Sequence, residues 1–152
     1  MAEVLFYRLG ASPLEAALPD LLEKALARGW KVLLRVGSEA GLALLDDALW
    51  TYRDDAFLPH GRAPGAHAAR QPVLLTTTRD NLNGAELLML VIGSRAEPAE
   101  MAAYARTCLI FDGADEPALA TARDDWRAVT SAGLPAKYWA QEDGRWVQKA
   151  AG

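Results

Sequence analysis

Contiguous apolar runs, separated by stretches with helical spacing, restrict this chain more than any other feature. Val4, Leu5, Phe6 and Tyr7 stand together, as in a strand buried on both faces, so Glu3 to Leu9 reads as a first strand. Gly10 ends it, and Ser12-Pro13 is a helix start with Ser12 as the expected N-cap. Leu14, Leu18, Leu21, Leu22 and Ala25 then recur at helical spacing up to Arg28-Gly29. Pro19 interrupts that pattern, so the regular helix is expected to begin near it. Lys31 to Val36 is a second apolar strand, and Ser38 the N-cap of a second helix with Leu42, Leu45 and Leu49 as its buried stripe. Strand, helix, strand, helix with tight turns implies a parallel sheet with helices packed on it, the α/β class.

The alternation then lapses from Thr51 to Gln71, a length at which loops in compact domains are usually functional or mobile. The stretch from Leu45 to Gly61, LDDALWTYRDDAFLPHG, straddles the break. Its helix ends in Trp50, a charged turn follows at Arg53-Asp54-Asp55, and an apolar knot at Phe57-Leu58-Pro59 closes with His60-Gly61. Aromatic residues where regular structure stops point to packing against something specific. Strands resume at Pro72 to Thr77, Glu86 to Gly93 and Thr107 to Phe111, with a short helix from Pro98 to Ala105 between the last two. Asp115 caps a final helix that runs to about Ala132 and ends at Gly133. The tail from 137 to 150, with Glu142-Asp143-Gly144 at its middle, reads as a small hairpin or an aromatic arm.

The 152 residues fit one domain of ordinary globular composition. A net charge of −4 argues against a broad nucleic-acid-binding face, because neutralising phosphates takes clustered Lys and Arg. The lone Cys108 excludes an internal disulfide, and a reducing cytoplasm is the expected location. No apolar run approaches the roughly 20 residues that span a bilayer, and the N-terminus lacks the pattern of a signal peptide.

Motifs for chemistry are scarce. The first strand is followed by one glycine, with neither the G-x-G-x-x-G nor the G-x-x-x-x-G-K-[ST] signature. No G-x-S-x-G is present, and Cys108 lies inside an apolar strand, where a thiol is structural. Asp54, Asp55 and His60 are the one set that could serve a metal or a phosphoester-processing enzyme. Adjacent Asp residues in a turn more often bond their own backbone. No cofactor and no metal are expected.

The last helix is more informative. With Arg123 at zero on a wheel of 100° steps, Arg127 falls at about 40°, Thr130 at about 340° and Trp126 at about 300°. Leu119, Ala122, Trp126 and Val129 form the expected core stripe. Two arginines thus lie side by side, and like charges four apart cost a few tenths of a kcal/mol. One i,i+3 pair, Asp124 to Arg127, relieves this only in part. An anion-docking face with an aromatic wall is one reading; a solvated face beside a core tryptophan is the other.

Several segments in this order resemble the chi subunit family of bacterial DNA polymerase III holoenzyme. FYRL resembles its first strand, LDDALWTYRDDAFLPHG its hallmark region, and Ala122-Arg123-Asp124-Asp125-Trp126-Arg127 with Ala132-Gly133 its last helix. The resemblance implies a Rossmann-like three-layer sandwich, a mostly parallel sheet with helices on both faces. It implies a non-catalytic accessory subunit that binds no nucleotide. Such a subunit links the clamp-loader complex, through the psi subunit, to the acidic C-terminal tail of single-stranded DNA-binding protein, and touches DNA only indirectly. That tail ends in phenylalanine with a free carboxylate. By resemblance Arg123 is the tail-binding arginine of A-R-x-x-[YW]-[KR], Trp126 stands at a tyrosine position and Arg127 at a lysine position. Trp50 matches a tryptophan near the same pocket, and Phe57, Leu58 and Pro59 match a psi-facing segment. Leu119 departs from the pattern, replacing a lysine that holds the tail in some members, and the chain past Gly133 extends beyond it.

Overall fold

The computed structural model describes residues 2–52 and 58–152. In chain order the elements are β1 (Glu3–Leu9), α1 (Leu14–Ala27), β2 (Val32–Val36), α2 (Glu39–Thr51), β3 (His60–Arg62), β4 (Val73–Thr76) and β5 (Leu87–Val91). There follow α3 (Pro98–Met101), β6 (Arg106–Asp112), α4 (Glu116–Ser131), β7 (Ala136–Glu142) and β8 (Arg145–Ala151). Among the described residues the strands form one eight-stranded sheet, ordered β3-β4-β2-β5-β6-β1-β7-β8. Neighbours run parallel except β7 and β8, which pair antiparallel.

The contiguous apolar runs are explained by burial on both sides. In β1, Leu5 and Leu9 face the layer of α1 and α2, where Leu18, Leu22, Leu42, Leu45 and Leu49 meet them. Val4 and Phe6 face the opposite layer with Met101 and Val129 of α3 and α4. Alternation along a strand divides β2, β5 and β6 in the same way. This is the α/β three-layer sandwich, with helices on both faces of a mostly parallel sheet. Among the described residues no helix is long and apolar enough to cross a membrane.

Four local expectations change. α1 begins at Leu14 and contains Pro19. The proline removes one helical bond, to the carbonyl of Glu15, but its ring is buried in the core layer, and packing outweighs propensity. Ser12 does not cap α1; its hydroxyl instead accepts a hydrogen bond from Gln141 Nε2 at 3.1 Å. The stretch 51–71 is not all loop, since His60–Arg62 pairs with β4 as a parallel edge strand. β5 stops at Val91 because Ile92 takes a left-handed φ of 52°, unusual for a β-branched residue. Its carbonyl then lies so close to Gly37 that a Cβ there would stand 1.9 Å from the oxygen.

The sheet also buries a charge. Arg35 on β2 is only 3% exposed. Its Nε donates to the Thr78 carbonyl at 3.1 Å, and Nη2 pairs with Glu100 of α3. A buried guanidinium needs such partners, so this pair fastens α3 to the end of β2.

Candidate functional site

α4 is built where the spacing places it. Asp115 caps it, accepting from the Ala118 N–H at 3.4 Å, and Pro117 sits in the first turn. Ala122, Asp125 and Val129 are its buried side chains, while Leu119 and Trp126 are half-buried. An aspartate thus replaces Leu119 and Trp126 on the innermost stripe. Asp125 is stable there because Arg95 Nη2 lies 2.5 Å from its Oδ1. That ion pair and its hydrogen bond hold the Arg95 guanidinium above its ordinary range.

On the outer side Arg123 is exposed and makes no hydrogen bond or ion pair with any described residue. Arg127 forms the i,i+3 pair with Asp124, Nη1 to Oδ1 at 3.4 Å, both side chains being well exposed. Such a pair is worth less than about 1 kcal/mol and is easily exchanged. Trp126 stands on an aromatic platform. Its ring meets Phe6 edge-on at 5.3 Å and 64°, and Tyr138 of β7 at 6.1 Å and 74°. Phe6 and Tyr138 are stacked 6.3 Å apart. Arg123, unpaired among the described residues, and a loosely paired Arg127 beside a fixed aromatic wall can bind a carboxylate and an apolar ring together. Tyr138 is part of this wall for a reason no local pattern carries, since β7 is brought beside β1 only by the topology.

Trp50 does not join this face. It lies on α2, in the layer on the opposite side of the sheet, and its ring meets His60 at 4.2 Å. From β3 to β1 there are five strand steps in the sheet order, roughly 24 Å at about 4.8 Å each. Trp50 instead shares the β3 edge with Leu58, which is buried, and Pro59, which is half-buried. His60 braces this edge: its Nδ1 donates to the Leu58 carbonyl at 2.6 Å, and Nε2 lies 3.2 Å from Asp46 Oδ1. The other Asp46 oxygen accepts from Arg62 Nε at 2.8 Å. Phe57, Asp54 and Asp55 lie outside the described residues.

The enzymatic alternative finds little in the described residues. The His60 side chain is fully buried and turned to Leu58 and Asp46. Among the described residues no group of three or more His, Cys, Asp or Glu is arranged to hold a metal. In the turn after β1, where related folds cradle phosphate on backbone N–H groups, two of those groups are already engaged. Gln141 Oε1 accepts from Gly10 N at 3.0 Å and from Ser12 N at 3.3 Å. Cys108 is buried, and burial pushes its thiol up to about 12, with nearby Arg106 opposing the shift. We expect no alkylation of native Cys108 by iodoacetamide at about pH 8, where the thiolate fraction is on the order of one in ten thousand. Stoichiometric labelling without denaturant would contradict this burial.

A family model described as DNA polymerase III chi subunit, HolC, matches residues 1–137. The chain is 31% identical over 139 residues to the DNA polymerase III subunit chi of Pseudomonas aeruginosa, covering 89% of this chain and 94% of the relative. It is 29% identical over 75 residues to a probable DNA polymerase III subunit chi of Rickettsia prowazekii, covering 49% of this chain and 46% of that one. A match across the sheet from β1 into β7, including α4, shows that this chain belongs to the DNA polymerase III chi subunit family.

Proposed function

We propose that this chain is a non-catalytic accessory subunit of the replicative polymerase, linking the clamp-loader complex to the acidic C-terminal tail of single-stranded DNA-binding protein. Family membership supports the accessory role in replication. The observation that carries the tail reading is Arg123, exposed and without a partner among the described residues, one helical turn from Trp126 on its platform. A terminal carboxylate docks on Arg123, with Arg127 released from Asp124 to assist, and the terminal phenyl ring lies against Trp126. The second face is the β3 edge, where Trp50 and the half-buried Pro59 offer apolar surface to a psi-like subunit above the buried Leu58, with Phe57 beside them in sequence. On this reading α4 and the β3 edge, five strand steps from β1, would hold the two partners at once.

The test is fluorescence anisotropy of a labelled acidic peptide ending in Asp-Ile-Pro-Phe, beside a copy lacking the phenylalanine. A disordered peptide must be ordered on binding, so affinity on the order of micromolar is expected for the first and none for the second. Binding weakens as salt rises through about 0.1 M, where the Debye length is about 10 Å. Equal binding of both peptides, or of neither at low salt, refutes the reading.

A further inference from the structure

The family match ends at residue 137, yet the chain continues into a strand whose outer side is open. Asp143 and Gly144, with φ of 51° and 76°, form a two-residue turn, and β8 returns along β7 to the rim of the sheet. At its far end Ala136 and Gly152 exchange both backbone hydrogen bonds, at 3.1 and 2.8 Å. Doubly bonded pairs alternate with unbonded ones in an antiparallel ladder. Ala151 therefore turns its N–H and C=O away from β7; counted from the other end, where Glu142 and Arg145 close the two-residue turn as a bonded pair, Trp146 and Gln148 do so too. An edge strand of seven residues with outward backbone groups is a template for another strand.

Charge says what that strand is. β8 carries Arg145 and Lys149 and no acidic residue. Tyr138 packs on Trp126, and Ala140 and Glu142 share its face by alternation. Their partners Ala150, Val147 and Arg145 are thus on the Trp126 side as well. Lys149 reaches the same side, pairing there with Glu142 at the surface, an interaction worth little and open to exchange. Gly152 lies against Trp126 and Thr130: a Cβ on it would stand 3.2 Å from the Trp126 ring and 2.8 Å from Thr130 Cγ2. The far end of β8 therefore meets α4 at Trp126 and Thr130, each about one helical turn from Arg123 and Arg127 respectively. A second copy of β8 is a poor occupant, because antiparallel self-pairing about Gln148 gathers four cations on one ribbon.

We propose that β8 takes up an extended acidic peptide as a ninth strand of the sheet, its carboxylates over Arg145 and Lys149. This rests on the tail reading above and deepens it: the ninth strand is the acidic segment preceding the terminal phenylalanine. The main-chain ladder supplies affinity along the segment, and the Arg123/Trp126 face reads its end.

Gln148→Pro tests it, since proline is tolerated where an edge N–H faces outward and removes that donor. The Phe-terminated peptide is titrated by anisotropy against the parent chain and Gln148→Pro, with circular dichroism checking the fold. Peptides N-methylated at successive backbone positions before the phenylalanine are titrated against the parent chain. The expected results are about tenfold weaker binding to Gln148→Pro and loss of affinity at every second N-methyl position. Unchanged affinity in folded Gln148→Pro, or an N-methyl effect with no alternation, overturns the ninth strand while the tail reading stands. No binding by the parent chain overturns both. A concentration-dependent dimer of the parent chain, dissociated by Gln148→Pro or by the peptide, assigns the edge to a second copy instead.

Discussion

Arg123→Ala is expected to weaken binding of the Phe-terminated acidic peptide by about tenfold to a hundredfold, with the melting temperature nearly unchanged. Hydrogen bonds to a charged group are worth about 1.5–3 kcal/mol, and 1.4 kcal/mol is about a factor of ten. The fold is spared because Arg123 is exposed and holds no described residue in place. Surface changes of that kind stay within about 0.5 kcal/mol. Arg127→Ala costs less, since that side chain already pairs with Asp124 and must exchange it for the peptide. Arg123→Lys keeps the charge and loses the planar fork, so it should recover only part of the affinity. Full affinity in folded Arg123→Ala would remove α4 as the recognition face.

How much of this was legible in the sequence depends on whether a feature is set locally. The β1, β2 and β5 strands announce themselves because burial on both faces leaves no polar alternation. α4 is equally plain: one regular helix with Asp115 at its cap fixes the bearings of Arg123, Trp126 and Arg127 without tertiary information. His60-Gly61-Arg62 could not be recognised as a strand, since three residues at a sheet edge carry no periodicity and only the pairing with β4 defines them. Asp125 stood at about 200° on the wheel, close to Val129, and its burial was written there. What makes it tolerable, Arg95, comes from thirty residues earlier in the chain. The distance of Trp50 from Trp126 was hidden for another reason. Its position on α2 was readable, but the face of the sheet that α2 covers is a property of the crossover, and it separates Trp50 from Trp126.

Phe6→Ala should produce the largest stability loss, about 3–5 kcal/mol, the range for deleting a buried phenyl ring. Phe6 is 0% exposed and lies on β1, an interior strand between β6 and β7. The hole opens beneath Trp126 and Tyr138, whose rings both rest on it. Against a total of about 5–15 kcal/mol for ordinary domains, that loss can unfold the chain at working temperature. Phe6→Leu is the companion variant, since it keeps apolar volume and removes the ring faces. Aromatic pairs contribute about 0.5–1.5 kcal/mol beyond area burial, so a cycle of Phe6→Leu with Trp126→Leu should show coupling of that size in chemical denaturation. The same cycle separates platform from contact. Phe6 is sealed from solvent and touches no peptide, so any affinity lost in folded Phe6→Leu is transmitted through the tilt of Trp126. If Phe6→Leu lowers stability and leaves peptide affinity intact, the platform serves the core alone, and the wall that meets the phenyl ring is held by Tyr138 and the end of β8.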